Sequence, residues 1–342
     1  MKNLVRHLFG SQQSGLVLII LFLGTILTLF AGSHIDPVTG LVVNNFLNSF
    51  TLMQTATNAS FFAVMAVGTT IVIISGRIDL SVGSIYALSG VTMAMALRAL
   101  APLGPATALA LGFLISVGVG VLCGLLNGLM VVGLRVHPFI ITLGTMWVLR
   151  GIAFVISRAE SILVPDPLMD FAKATLGLNA GLYPVPVIVT VAVTAIGAMY
   201  LSKMRSGRHI YAVGGNQEAS RYSGLPIGRI LVGVYIVSGL TAGIAAFVGG
   251  AYYGSAASAD ATGYELYVIA AAVVGGASLA GGKGNAVNAT LGALLIVLIR
   301  QSITTLRLDQ NYEWIIIGSA IIVAVVLDQV NATLNSRDAH RN

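Results

Sequence analysis

Long apolar segments separated by short polar connections run through almost the whole chain. A helix needs about 20 predominantly apolar residues to cross the hydrocarbon core of a membrane. Ten segments approach that length, at 14–31, 58–75, 81–97, 107–133, 139–157, 184–201, 230–254, 265–281, 286–305 and 312–330. The pattern predicts an all-α polytopic membrane protein with about ten transmembrane helices, in which residues 1–342 form a single transmembrane domain.

The distribution of positive charges predicts the orientation of these spans. With a cytoplasmic N-terminus, twelve Lys and Arg residues fall on the inner side and six on the outer side. Cytoplasmic loops are enriched in these residues, so we expect both termini in the cytoplasm and an even number of spans. A signal peptide is the alternative for the first span, since Lys2 and Arg6 precede it. The apolar run of the first span is longer than that of a typical signal peptide, and it lacks a convincing cleavage site, so an uncleaved helix is favoured.

Composition supports the membrane class and narrows the function. The chain is 56% hydrophobic and 9% charged, with a mean hydropathy of +0.91, whereas soluble domains are about 25% charged. The net charge of +6 does not indicate nucleic acid, because the cations are scattered at segment ends. The single cysteine, Cys123, excludes an intrachain disulfide, and its apolar surroundings favour a packing role.

One polar loop, 202–229, interrupts the apolar pattern and carries Lys203 and several arginines. Within it, Asn216 is a good N-cap, Glu218 suits a first helical turn, Gly224 suits the position after the C-cap, and Pro226 prevents continuation. These signals predict a short capped helix of the kind that docks a soluble partner. Binding of the basic loop to anionic lipid is the alternative.

Two glycine-containing segments predict helices that are broken inside the membrane. The segment 75–84 contains Gly76, Asp79, Ser81 and Gly83, and the segment 274–285 contains Gly275 and Gly276. Such breaks are tolerated where the backbone is buried in protein or lines a wet cavity. The alternative is a pair of tight surface turns, with Arg77 and Asp79 forming a local ion pair.

Three sequence blocks carry a resemblance to a known family. The first is 76–84 (GRIDLSVGS), similar to a G-x-IDLSVGS element, and the second comprises 127–128, 138–144 (PFIITLG) and 150–151. The third runs from 211–216 (YAVGGN) through 223–224 and 238–240 to 263–266, 269–271 and 275–276. Together they resemble the membrane permease subunits of bacterial ABC importers for monosaccharides such as ribose, xylose, arabinose and galactose. The resemblance covers nearly the whole chain after the first span.

The resemblance implies a type II importer-like fold with broken or re-entrant segments, in the bacterial inner membrane. It implies a homodimer or a pair of related permeases, two cytoplasmic ATPase subunits that bind ATP and Mg²⁺, and a periplasmic sugar-binding protein; this chain itself would hold no cofactor. The loop 202–229 would be the coupling element, and its ATPase-coupling residues would be Gly214, Gly215, Asn216, Glu218, Ala219, Ser220, Arg221 and Gly224. Residues 218–224 fit an EAA-x-x-x-G pattern with serine at the third place, but the I-x-L-P continuation is absent.

The residues also bear on the energy source. Ion-coupled carriers usually need an ionisable group buried at mid-membrane, and we expect none well placed here, because Glu265, Glu313 and Asp328 fall near span ends. The near match to a P-loop at 276–284 fails in register and final residue, and the five histidines lack metal-ligand spacing. We therefore expect a non-catalytic subunit without a metal site, driven by a partner's ATP hydrolysis.

Neutral polar side chains within the spans suggest a translocation path. The candidates are Asn58, Ser60, Asn127, Thr142 and Thr145. Hydroxyl and amide groups suit a neutral polyhydroxylated solute, although each residue could instead serve helix packing. Two alternatives remain open at this point. One is a self-contained facilitator or channel for small neutral solutes, and the other is a related ABC permease for nucleosides, branched-chain amino acids or a furanone-like signal.

Overall fold

The computed structural model describes residues 12–35, 40–179, 181–316, 318, 319, 322 and 326. Its helices are α1 Gln12–Phe30, α2 Ser49–Ile74, α3 Val82–Ala99, α4 Pro105–Gly133, α5 Pro138–Ser157, α6 Asp166–Ala172, α7 Val185–Lys203, α8 Arg205–Gly215, α9 Gln217–Tyr222, α10 Ile227–Tyr253, α11 Tyr264–Val274 and α12 Ala286–Thr305. Two short antiparallel pairs join β1 Ser33–Ile35 to β2 Val42–Asn44 and β3 Ile162–Leu163 to β4 Ser255–Ala256.

Eight of the described helices are long and apolar enough to cross a membrane, namely α1 to α5, α7, α10 and α12. The prediction of an all-α polytopic membrane protein is therefore confirmed. The free cysteine, Cys123, is buried in the core as predicted. Helix α2 begins at Ser49 rather than near residue 58, because the side chain of Asn48 accepts a hydrogen bond from the Thr51 amide and caps the helix there.

The predicted eighth span, 265–281, is wrong. Helix α11 has 11 residues, so it is about 16 Å long, roughly half of the 30 Å hydrocarbon core. It ends at Gly275 because Gly276, Gly281 and Gly282 all have positive φ angles, which a helix cannot continue through. Most of the predicted tenth span, 312–330, lies outside the described residues, as do Lys2, Arg6 and both termini.

Helices α4 and α10 pack backbone against backbone. Small residues recur at every fourth position of α4, at Gly112, Ser116, Gly120, Gly124 and Gly128. A Cβ atom on Gly120 would overlap the carbonyl oxygen of Gly239, and one on Gly124 would overlap that of Tyr235. Such stripes let membrane helices approach closely where apolar burial provides little driving force.

The described bundle has a central helix and an apolar surface. In α2, 94% of the most apolar 18-residue window is buried, compared with 11% in α1. The exposed side chains of α1 include Leu21, Phe22, Leu29 and Phe30. An apolar outer surface of this kind suits contact with lipid tails, as expected of a membrane protein.

Candidate functional site

The helix predicted within the polar loop is present and capped at both ends. The Asn216 side chain accepts a hydrogen bond of 2.8 Å from the Ala219 amide at the start of α9. At the other end Gly224 has a φ of +78°, the Gly224 amide bonds to the carbonyl of Arg221, and the Leu225 amide bonds to that of Ser220. This is the Schellman geometry of a helix C-terminus. The capping predictions for Asn216 and Gly224 are therefore confirmed.

A second helix in the same loop, α8, was not anticipated. It buries Gly207, Ile210 and Val213, which recur at three-residue spacing, while Arg205 and Arg208 are exposed. That spacing is the signal that could have revealed an amphipathic helix. A Cβ atom on Gly207 would overlap the carbonyl of Tyr200, so α8 lies directly against the end of α7.

The helix pair meets both predicted breaks at a cluster of glycines. We name Gly76, Gly214, Gly215, Gly281 and Gly282 the glycine junction. A Cβ atom on Gly214 would overlap the carbonyl oxygen of Ile74, and one on Gly281 would lie 2.6 Å from the carbonyl oxygen of Gly214. The amide of Gly282 donates a hydrogen bond of 2.8 Å to the carbonyl of Ile74. Backbones 67 or more residues apart in sequence are thus in direct contact.

Two side-chain hydrogen bonds reinforce this junction. Arg77 Nη2 donates to Gln217 Oε1 at 2.7 Å, and the Tyr211 hydroxyl donates to the carbonyl of Gly284 at 2.7 Å. Burial raises the pKa of the Tyr211 phenol above its ordinary value, so the hydroxyl remains a neutral donor. Each break is therefore bonded to the helix pair. Arg77 forms no ion pair with Asp79 in the described chain, so that alternative for the first break is wrong.

Asp79 turns inward instead. Its side chain is completely buried, and its Oδ1 accepts hydrogen bonds from the Ser81 amide (2.9 Å) and hydroxyl (2.6 Å). Its Oδ2 accepts one from the Ser238 hydroxyl (2.8 Å), while Asn127 Nδ2 donates to Ser81 Oγ (2.7 Å). The first break is thereby bonded to α4 and α10, as expected for irregular backbone inside a membrane protein.

Asp79 is therefore a buried ionisable group, and so is Arg150, which is only 9% exposed. The sequence did not single out either residue as buried. The guanidinium of Arg150 donates hydrogen bonds to the carbonyls of Ser258 (2.7 Å) and Ala261 (3.3 Å). Gly83 lies beside them, because a Cβ atom there would approach the Ala261 carbonyl to 2.6 Å. The segment before α11 therefore folds into the bundle, and α11 begins at the level of the α3 N-terminus.

The predicted path residues lie in three different environments. The hydroxyls of Ser60, Thr142 and Thr145 donate to carbonyls of their own helices. Asn127 belongs to the buried Asp79 network. Asn58 lines a cavity between the helices.

That cavity lies at the end of the bundle opposite the glycine junction. Its volume is about 300 Å³. Its lining includes the aromatic residues Phe61, Phe62, Tyr253 and Tyr264 and the polar residues Asn58, Arg300, Gln301, Thr304, Gln310 and Glu313. We name it the aromatic cavity. It is built by α2, the end of α10, the first turn of α11, the end of α12 and the residues 310 and 313 that follow α12. Because these elements are far apart in sequence, no local pattern predicted the cavity.

Comparison with known proteins places this architecture in a family. Residues 51–326 match the family described as "Branched-chain amino acid transport system / permease component". The D-allose transport system permease protein of Escherichia coli is 38% identical over 83% of this chain and 85% of its own length. The ribose import permease protein of E. coli is 38% identical over 84% and 86%. The autoinducer 2 import system permease protein of Photorhabdus temperata is 32% identical over 77% and 78%.

No solved structure matches the chain. The family match covers the described helices from α2 to α12, including the helix pair, both breaks and the aromatic cavity. The chain therefore belongs to the family of transport-system permease components, as a multi-pass membrane protein.

Proposed function

We propose that this chain is the translocation subunit of an ATP-driven monosaccharide importer, and that α8 and α9 form the element that docks on a separate ATPase. One observation carries the proposal: α9 exposes its outer side chains while the residues around it are bonded to both broken segments. Helix α9 has six residues and is about 9 Å long, a size that fits a surface cleft of a partner.

The exposed side of α9 has the chemistry of a protein interface. Tyr222 is 84% exposed, and Glu218 and Arg221 are also exposed. Tyrosine and arginine are enriched among the residues that dominate binding energy at interfaces. A lipid anchor would need the basic residues of this loop but not an N-cap, a Schellman C-terminus or an exposed tyrosine at the tip, so protein docking accounts for more of the local structure.

The contacts of the helix pair provide a route for movement. A displacement of α9 would act on the first break through the hydrogen bond between Gln217 and Arg77, and α8 would act on the second through Tyr211 and Gly284. The glycine junction leaves no side chains between the backbones that could absorb such a displacement. Nucleotide-driven motion of the partner would therefore reach the half-helix α11.

The proposed orientation follows from the distribution of positive charges. The positive-inside pattern favours a cytoplasmic position for α8 and α9, which leaves the connection 158–183 and the segment 255–264 for an external binding protein. Strands β3 and β4 pair these two segments.

Named relatives that import allose and ribose favour a monosaccharide over the branched-chain amino acids of the family description.

Co-purification tests the proposal. The chain is isolated from native membranes in mild detergent, the accompanying proteins are identified and ATP hydrolysis is measured. We expect an ATPase subunit with the wild type and its loss with Glu218→Lys or Tyr222→Ala. Glu160→Lys, a charge reversal at an exposed position of the connection after α5, serves as the control. Recovery of the wild type without an ATPase, together with downhill sugar flux in liposomes that hold this chain alone, would establish a facilitator instead.

A further inference from the structure

We propose that the aromatic cavity is a monosaccharide-binding site within the permease itself, an inference that rests on the proposed function and adds a location for the sugar. Small-molecule sites combine apolar and aromatic walls with a few convergent polar groups, in volumes of roughly 300–1,000 Å³. The volume of about 300 Å³ lies at the lower end of that range. It therefore suits a single sugar ring better than a nucleoside.

The four aromatic side chains of the lining pack against each other in two pairs. The ring centroids of Phe62 and Tyr264 lie 4.3 Å apart, and those of Phe61 and Tyr253 lie 5.5 Å apart. A monosaccharide has C–H groups on its ring faces and hydroxyls around its edge. Aromatic carbons of the lining can contact the former, while side-chain amides both donate and accept hydrogen bonds with the latter. Asn58, Gln301 and Gln310 supply such amides in the lining.

The charges of the lining compensate each other. Arg300 Nε contacts Glu313 Oε1 at 2.8 Å, and the Tyr267 hydroxyl donates to the same oxygen at 2.9 Å. The guanidinium carbon of Arg300 lies 5.6 Å from the centroid of the Phe62 ring, within the range of a cation–π contact. These contacts hold the arginine in place and leave a lining with one cation and one anion, already paired. A neutral solute matches this arrangement, whereas a free amino acid would need unpaired charges for its own ammonium and carboxylate.

The position of the cavity links ligand contact to the rest of the mechanism. Tyr264 begins α11, and the opposite end of α11 leads through Gly275 and Gly276 to the glycine junction. A sugar that contacts Tyr264 would therefore touch the same half-helix that the proposed docking element reaches from the other side. Sugar binding and nucleotide-driven movement would therefore both act on the half-helix α11.

Cysteine protection tests the site directly. Asn58→Cys is made in a Cys123→Ala background, in which the introduced thiol is the only one, and the full transporter is labelled in nanodiscs with a small methanethiosulfonate. At about four times its dissociation constant, D-ribose or D-allose should slow the labelling about fivefold, because the unoccupied fraction of a site falls as 1/(1 + [L]/Kd). L-leucine should leave the rate unchanged. Gln301→Cys provides a second position, and Arg98→Cys, an exposed residue in the last turn of α3 and outside the lining, is the control whose labelling neither sugar should affect.

Transport provides the second measurement. In proteoliposomes with the ATPase and binding protein, Asn58→Ala and Gln301→Ala should lower sugar uptake per ATP hydrolysed by about fivefold. Stimulated ATP hydrolysis should stay within about twofold of the wild type. Ser302→Ala is the matched control, because the Ser302 hydroxyl bonds only to the Ile299 carbonyl of its own helix in the described chain and is outside the lining.

The outcomes separate this proposal from the one on which it rests. Unprotected labelling at both cysteine positions, or protection by L-leucine instead of the sugars, would overturn the monosaccharide site even if the wild type imports sugar normally. Failure of the wild type to import sugar with ATP would instead overturn the importer function, and the protection assay would still report whether a sugar occupies the cavity.

Discussion

Arg77 and Gln217 are 140 residues apart in sequence, yet Arg77 Nη2 donates a hydrogen bond of 2.7 Å to Gln217 Oε1. The arginine belongs to the first broken segment and the glutamine begins α9. This contact is a specific side-chain connection between the exposed helix of the polar loop and the membrane-embedded irregular backbone that leads to Asp79.

Loss of this hydrogen bond should weaken coupling more than folding. Gln217→Ala removes the acceptor, and Arg77→Lys replaces a planar, forked donor with a point charge. For both variants we expect sugar uptake per ATP hydrolysed to fall by about fivefold, with a melting temperature close to that of the wild type. Arg98→Lys, an exposed change in the last turn of α3, should leave both quantities unaltered. Normal uptake in both test variants would remove this contact from the proposed route.

The close packing at the glycine junction can be tested by adding a single methyl group. A Cβ atom on Gly214 would overlap the Ile74 carbonyl, whereas one on Gly215 would meet nothing within 4 Å. Gly214→Ala should therefore separate α8 from the break and abolish stimulated ATP hydrolysis or lower the yield of folded protein. Gly215→Ala should behave as the wild type. Equal behaviour of the two variants in size-exclusion and ATPase measurements would contradict the close packing described here.

The stripe on α4 predicts a stability effect that is independent of coupling. Gly120→Ala would place its methyl group against the Gly239 carbonyl, while Gly118→Ala points into open space on the same helix. We expect the first variant to lose about 1–3 kcal/mol, the cost typical of overpacking. The second should be neutral or slightly stabilising, because alanine favours helix over glycine. Thermal unfolding in detergent, followed by size exclusion, measures the difference.

The buried network of Asp79 predicts a graded response. Asp79→Leu leaves the Ser81 amide, the Ser81 hydroxyl and the Ser238 hydroxyl without their acceptor. Unsatisfied buried polar groups cost about 1–3 kcal/mol each, so we expect severe loss of folded protein. Asp79→Asn keeps one acceptor oxygen and can donate to the Ser238 hydroxyl oxygen, so its cost should be about 1 kcal/mol. A leucine variant as stable as the asparagine variant would mean that the network contributes little.

Local features of the sequence predicted most of the secondary structure. The caps at Asn216 and Gly224 were predictable because each depends on residues within a few positions. The eighth span failed because the apolar composition of 265–281 hides a helix that is too short, with a run of glycines that continues past Gly275. The ion pair of Arg77 and Asp79, considered as the alternative for the first break, is absent from the described chain, because closeness in sequence does not determine which way a side chain points in irregular backbone.

The candidate sites were less predictable than the helices. Asn58 was selected as a neutral polar residue in a span, but Phe62, Tyr264 and Arg300 were not chosen, since nothing local distinguishes a cavity aromatic from a core one. Asn127 was selected for the same reason as Asn58, and the structure shows that its side chain belongs to the Asp79 network. In the polar loop, Glu218 was singled out, whereas Gln217, Tyr211 and Tyr222 gained significance only through their contacts or exposure.

The sequence by itself determined that this protein is a bundle of apolar membrane helices with a capped polar helix and two glycine breaks, because hydrophobic length, capping and backbone flexibility are local properties. Only the tertiary structure decided which glycines meet at the junction, that Asp79 and Arg150 turn inward, and that α2, α10, α11 and α12 enclose an aromatic cavity. These outcomes depend on how closely backbones distant in sequence can approach and on which buried polar groups must find partners, and neither condition is expressed in any single segment of the chain.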